Sequence, residues 1–399
     1  MGFRDFTRRD FLKTAGTLTA MTALGDMPSE LFAATDGRRL VKFPEKTELL
    51  LLTSYPPQLE TPLHYFRELV TPNEALFVRW HVTPIPTSVD LAQWRLNVGG
   101  NTDKELLLSL DDLKTKFPRV TYTAVIQCSG NGRSFFEPRV PGGQWKNGSM
   151  GNTTWSGARL KDILNMAGIK PGSVDVSFDG LDRGTLPTVP DFIKSLPVDK
   201  ALEEDMLIAY EMNGAPLTML NGFPARLIVP GWYATYWVKS LSEIKVLPRQ
   251  FEGFWMNPAY RIPDNACGCV PPGAKPQKTI PVHRMTTRSL IINPEDGTSL
   301  RPNRPVDVMG IAFSGGYSIR DVIVSVDGGK SWSEAKLGKD LGKYSWIQWT
   351  YPWRPKKPGK YTLMARATNS IGESQPFESL WNPSGYLWNK IEPLTVVVR

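Results

Sequence analysis

The chain has 399 residues, 41% of them hydrophobic, with 34 glycines, 34 prolines and 13 tryptophans. That is enough apolar matter for real cores and too much chain for one typical domain, so two domains are expected and the disordered and fibrous classes are excluded. The formal net charge of +8 suits an anionic substrate, an anionic cofactor or an acidic partner, or simply a basic surface; with no basic stripe and no recognition motif, no nucleic-acid partner is expected.

Residues 1–34 read as an export signal. "TRRDFLK" carries the Arg8-Arg9 pair, a moderately apolar run follows from Thr14 to Leu24, and "LFAAT" offers small residues for cleavage near Ala34. This order predicts export of the folded protein by the twin-arginine machinery into the bacterial periplasm, a route commonly taken with a redox cofactor already inserted. The segment is charge-neutral, with Arg4, Arg8, Arg9 and Lys13 against Asp5, Asp10, Asp26 and Glu30, so the +8 belongs to the mature chain. Beyond it no 18-residue apolar run predicts a membrane span.

From 35 to 275 the pattern is α+β. "SLDDLKTKF" opens with Ser109 and has Asp112 three residues on, which predicts a capped short helix. "TYTAVIQC", "VDVSFDG" and "ARLIVPG" read as strands. "SGARLKDILNMAG", Ser156 to Gly168, reads as a second helix closed by a glycine. Residues 263–281 read as a linker or a draped loop. From 276 to 399 short strands and turns replace helices, and Asp-Gly in "VSVDGGKSW" signals a hairpin. That part is expected to be an all-β, immunoglobulin-like sandwich.

Cysteine and histidine number three each, too few for a structural zinc site. Cys267 and Cys269 stand too close for an easy disulfide, and no C-x-x-C-H marks a covalent haem. Cys128 ends a strand-like run in "AVIQCSGNGRSFFE". It could be buried and inert, a nucleophile or a metal ligand. The glycines after it let backbone approach a ligand closely, and Arg133 would help hold a thiolate charged. His64, His81 and His283 supply no recognisable partner for a thiol protease.

"CSGNGR" resembles the cysteine loop of the sulfite oxidase family of molybdenum enzymes. "LFVRWH", with Arg79 placed 49 residues before Cys128, resembles the family's F-V-R-x-H segment. "GLDRG" with Asp182, "AYEMNGAPL" leading to "NGFPARLIVPG", "WVKSL" with Lys239 and "MNPAYRIP" with Tyr260 follow in the family's order. The terminal sandwich resembles its dimerisation domain. The resemblance implies a molybdenum–molybdopterin cofactor with Cys128 as the metal's thiolate. It assigns Phe77, Val78, Arg79, His81, Arg133, Asp182, Asn221, Arg226, Trp237, Val238 and Lys239 to the cofactor, and Arg79, His81 and Tyr260 to catalysis. Arg226, Lys239 and nearby Arg133 would grip the pterin phosphate.

The implied reaction oxidises sulfite to sulfate by oxygen-atom transfer, the metal being reoxidised in two one-electron steps. The animal members' haem domain is not expected here, so a periplasmic c-type cytochrome would accept electrons, and a homodimer is expected. Two departures stand out. Asn221 occupies a position where the family often has histidine, and a further substrate arginine is missing in register, with Arg320 as a candidate replacement. The competing readings are a molybdenum-dependent sulfoxide reductase or other oxyanion oxidoreductase on the same fold, and a non-catalytic exported binding protein.

Overall fold

A computed structural model describes residues 37–186 and 188–399, so the export signal read at 1–34 lies outside the described residues. Three sheets carry the first part. Strands Arg119–Gln127, Met150–Arg159, Leu207–Met212 and Ala215–Pro216 form one, with Arg226–Ile228 pairing onto Leu207–Met212. A second has the order Lys194–Pro197, Asp175–Gly180, Leu241–Leu247, Leu96–Gly100, Leu106–Leu108, and a third joins Leu40–Lys42, Glu48–Ser54, Pro57–Glu60 and Val78–Arg79. Strand Arg119–Gln127 is partly exposed at its start and fully buried over its last four residues. The apolar run before Cys128 is continuous for that reason: both faces of the strand are covered there.

Both helices form, and one boundary moves. Helix Leu110–Thr115 begins at the reciprocal cap of Ser109 and Asp112. The second helix spans only Leu160–Ala167, closed by Gly168 at φ 74°. Ser156–Arg159 belong instead to the strand Met150–Arg159. The reason is local. The buried stripe Leu160, Ile163, Leu164 and Ala167 has helical spacing and starts only at Leu160. Before it, the backbone is paired with strands on both sides, and a Cβ on Gly157 would meet the Ile208 carbonyl oxygen at 2.2 Å.

Segment 263–281 is a draped loop, not a linker: its ends pair as Arg261–Pro263 with Thr279–Pro281. The expectation for its cysteines is overturned, because Cys267 and Cys269 form a disulfide. Gly268, in the left-handed region at φ 59°, folds the chain back and brings the two Cα atoms to 5.1 Å, inside the range a disulfide spans.

The C-terminal part is a two-sheet sandwich. One sheet runs Arg288–Asn293, Val306–Phe313, Ile347–Trp353, Lys336–Leu337. The other runs Ser299–Leu300, Leu394–Val398, Gly359–Asn369, Ile319–Ser325, Ser333–Glu334. Val308, Val322, Trp349, Leu363 and Val396 fill the space between them. The expected hairpin forms after Ile319–Ser325, its turn tied by the Asp327 carboxylate, which accepts from the Lys330 and Ser331 amides at 3.0 Å. The fold is therefore α+β followed by an all-β sandwich. Residues Leu40–Arg399 make one compact unit. The sandwich is tied into it where the Val125 amide donates to the Tyr344 carbonyl and Asn152 Nδ2 to Ser345 Oγ, both at 2.8 Å. No helix among the described residues is long and apolar enough to cross a membrane.

Candidate active site

Cys128 follows directly on strand Arg119–Gln127 and lines a cleft. Its thiol is free, and its amide donates to the Ser149 carbonyl at 2.9 Å. Asn131 pins the loop by accepting from the Ser149 amide and hydroxyl. Phe77, Arg79, His81, Asn221, Arg226, Lys239 and Tyr260 line the same cleft, drawn from segments far apart in the chain.

One end of the cleft is cationic. Arg226 is 2% exposed; Nη1 donates to the Asn221 carbonyl at 2.8 Å and Nη2 to the Trp237 carbonyl at 2.9 Å, while Nε is buried with no partner. Burial lowers its pKa to about 9. Lys239 Nζ lies 4.5 Å from the centre of the Trp80 ring. Its pKa falls to about 7, first through burial and next through Arg226. Asp182 is buried and acts on Lys239 through its field, and desolvation raises its carboxyl to about 6. Asn221 donates to the Phe77 carbonyl at 3.3 Å and accepts from Thr218 Oγ1 at 2.8 Å and from Lys46 Nζ.

The other end is aromatic. Arg79 and His81 alternate along the chain and both face the cleft. Arg79 donates to the Trp80 carbonyl. His81 stacks on Phe192 with centroids 3.8 Å apart and meets Trp255 edge-on at 5.1 Å. Its Nε2 is hydrogen-bonded to the Tyr260 hydroxyl, and its buried Nδ1 has no partner. Burial first, then the charges of Arg79, Lys239 and Lys194, hold its pKa well below the usual histidine value, so the ring is neutral at pH 7. Tyr260 is 9% exposed, with a left-handed backbone at φ 58°.

Five residues read from the sequence do not line the cleft. Val78 turns into a neighbouring core with Leu49, Leu59 and Trp80. Trp237 contributes its carbonyl to Arg226, and Val238 is buried beside it. Asp182 acts from behind Lys239. Arg133 departs most from expectation. Its guanidinium is engaged by backbone, donating to the carbonyls of Gly143 at 3.2 Å and Ser384 at 3.2–3.3 Å. It fills a slot walled by Gly130, Gly142 and Gly385, where added Cβ atoms would come within 2.6, 3.0 and 2.9 Å of it. Arg320 is exposed on the sandwich and paired with Asp321 at 2.7 Å. The sequence reading also missed residues. Lys46 is 3% exposed, donates to the Asn73 and Leu76 carbonyls as well as to Asn221, and is lowered by burial to about 7. In "FPEKTE" it looks like any surface lysine. Lys194, in the more apolar "FIKSLP", is fully buried and likewise lowered to about 7.

The donor set defines its ligand. Among the described residues, the cleft is lined by one thiol and three cations, Arg79, Arg226 and Lys239, with no carboxylate. Arg226 Nε, His81 Nδ1 and Ser129 Oγ are buried without partners. Buried cations and orphaned polar groups are costly until something satisfies them. A phosphate-bearing anion does so at one end, and a thiolate-seeking soft metal at Cys128. A molybdopterin fits both demands.

The comparisons agree. The family descriptions "Oxidoreductase molybdopterin binding domain" and "Mo-co oxidoreductase dimerisation domain" match residues 82–255 and 279–393, and a twin-arginine translocation signal matches residues 5–25. Mitochondrial sulfite oxidase of Rattus norvegicus is 33% identical over 351 residues, 84% of this chain and 62% of its own length. Sulfite oxidase of Gallus gallus is 32% identical over 360 residues, 86% of this chain and 77% of its own length. This chain thus spans less than two thirds of the rat protein. The sulfane dehydrogenase SoxCD from Paracoccus pantotrophus has the same fold, with a TM-score of 0.72 at 23% identity, covering 98% of this chain and 96% of its own. The chain belongs to the sulfite oxidase family of molybdopterin oxidoreductases, and its signal is that of twin-arginine export.

Proposed function

We propose that the protein oxidises sulfite to sulfate in the periplasm and passes the electrons singly to a separate c-type cytochrome, with residues 35–275 holding the cofactor and 276–399 joining two copies. The observation that carries this reading is the cleft itself: one buried thiol lining the same cleft as Arg226, Lys239 and Arg79 and as the hydrogen-bonded pair His81 and Tyr260. The molybdenum cofactor, when bound, supplies the oxygen-atom transfer and the two-electron redox change. Cys128 would hold the metal. Arg226 and Lys239 would hold the phosphate, with Asn221 fixed beside them by Lys46 and Thr218.

The chain's own residues do the rest. Arg79 binds the small dianion, and its attraction strengthens in a partly dry cleft. Tyr260 presents a hydroxyl beside it, fixed by His81 Nε2. Overall, sulfite and water give sulfate, two protons and two electrons. A neutral His81 lets Nε2 and the Tyr260 phenol share a hydrogen bond at the cleft wall, which holds the hydroxyl in place. Phe192 and Trp255 pack against His81 and keep water off that side.

The test is sulfite-dependent reduction of ferricytochrome c by the purified protein, beside Cys128→Ala, with metal analysis of both. About one molybdenum per chain and turnover in the wild type, both lost in the variant, establishes the reading. Molybdenum without sulfite turnover leaves the cofactor assignment standing and moves the substrate to another oxyanion or a sulfoxide. Absence of molybdenum from the wild type makes the chain a non-catalytic binding protein.

A further inference from the structure

Tyr260 does not stand alone in its wall. Its ring lies parallel to that of Tyr386, with 5.5 Å between centroids and 6° between planes. The Arg133 guanidinium caps the far ring, 5.0 Å from the centre of Tyr386, and the Lys194 ammonium lies 4.9 Å from the centre of Tyr260. Two tyrosine rings are thus associated with two buried cations. Neither cation has a carboxylate partner among the described salt bridges. Lys194 donates to the Trp255 carbonyl at 2.5 Å and also lies 4.8 Å from the ring centre of Tyr236, and Arg133 donates only to the carbonyls of Gly143 and Ser384. Buried without counter-ions, both cations are met by aromatic faces and backbone carbonyls instead.

The stack is tied to the backbone that carries Tyr260. Ser384, whose carbonyl accepts from Arg133, donates through its hydroxyl to the Arg261 carbonyl at 2.8 Å. Lys194 is bonded to the carbonyl of Trp255, whose ring packs against His81. Tyr260 holds a left-handed backbone that an L-residue keeps only when its surroundings enforce it. The glycines of the Cys128 loop have a concrete use as well, since Gly130 leaves the room that the Arg133 guanidinium fills.

We propose that Lys194 and Arg133 are positioning residues that clamp the Tyr260–Tyr386 stack and so aim the Tyr260 hydroxyl at the substrate end of the cleft. The proposal rests on the reading that an oxyanion binds there beside Arg79. Removing one cation lets the ring shift and weakens one hydrogen bond to the anion. The expected cost is about a tenfold rise in KM for sulfite, with a smaller change in kcat.

The experiment compares Lys194→Met, Lys194→Arg, Tyr260→Phe and the double variant Lys194→Met/Tyr260→Phe, as purified protein with molybdenum measured. Lys194→Met is expected to raise KM about tenfold at unchanged molybdenum content, Lys194→Arg to restore most of it, and Lys194→Met to add less than about twofold once Tyr260 is phenylalanine. An unchanged KM in Lys194→Met, or a full additional loss in the double variant, overturns the clamp. A crystal structure of Lys194→Met gives a readout independent of turnover: the clamp requires the Tyr260 ring to leave its parallel seat on Tyr386, and an unmoved stack refutes it. Should the wild type not use sulfite at all, the substrate reading fails while the crystal structure still decides the clamp.

Discussion

The two ends of the cleft differ in which contacts lead. At the Arg226 end directed bonds lead: Arg226 is held by the Asn221 and Trp237 carbonyls and Lys46 by Asn73, Leu76 and the Asn221 side chain, with the Trp80 ring beside Lys239 and the Trp155 ring beside Arg226. At the Tyr260 end rings are more numerous: His81 lies on Phe192, Lys194 against Tyr236 and Tyr260, and Arg133 against Tyr386, besides the Trp255, Gly143 and Ser384 carbonyls that accept from the two cations. Carbonyl cages fix donors in one geometry and suit a resident anion that never leaves. Aromatic packing gives shape and a low dielectric with few directed bonds, which suits an anion that must enter and depart. Cys128 lines the cleft with both.

The sharpest break is at that thiol. Cys128→Ala is expected to abolish sulfite turnover, by more than about a hundredfold, and to lower bound molybdenum, read by metal analysis. Next comes the Arg226 end. Arg226→Met leaves two carbonyls without their donor and removes the proposed phosphate contact, so molybdenum content should fall several-fold, and the melting temperature should drop by several degrees, for about 1–3 kcal/mol lost. The open end should answer differently. Arg79→Gln is expected to keep its molybdenum and melting temperature, and to raise KM for sulfite about 10- to 100-fold in steady-state kinetics. If both arginine variants lost cofactor equally, the division between resident and exchanging ends would be wrong.

The smallest effect is a pH slope. Lys46 has a pKa of about 7 when folded against an ordinary 10.5. Between those values the unfolded chain binds the extra proton, so this residue's penalty is full below about pH 7 and fades as pH rises towards 10.5. In protein made without cofactor, wild type should therefore gain stability relative to Lys46→Met as pH rises from 7 to 10, measured by thermal melting. A bound phosphate nearby would raise the lysine's pKa, so the slope should shrink in the loaded protein.

Local patterns made much of the fold and part of the site legible. The Ser109–Asp112 cap, the Gly168 stop, the buried strand before Cys128 and the Asp327 hairpin all depend on residues within a few positions of one another. Arg79, His81, Cys128, Arg226, Lys239 and Tyr260 were legible because each sits in a run whose order resembles a known family. Lys46 was not: its partner Asn221 is 175 residues away, and nothing around it marks it as buried. Helix Leu160–Ala167 was extended too far back because "SGAR" carries no strand signal of its own, and only its neighbours on both sides make it one.

By itself the sequence determined the order of elements, the change from α+β to sandwich, and which side chains are able to bind a soft metal and an anion. Those properties follow from short-range periodicity, turn chemistry and residue type. Tertiary structure alone decided what each charge faces. Arg133, five residues after the thiol in the chain, spends its guanidinium on Ser384, 251 residues on, in a slot where three glycines leave room for its side chain. Proximity along the chain fixes only where a side chain starts; where a long, charged one ends depends on which distant segments supply carbonyls and rings to receive it.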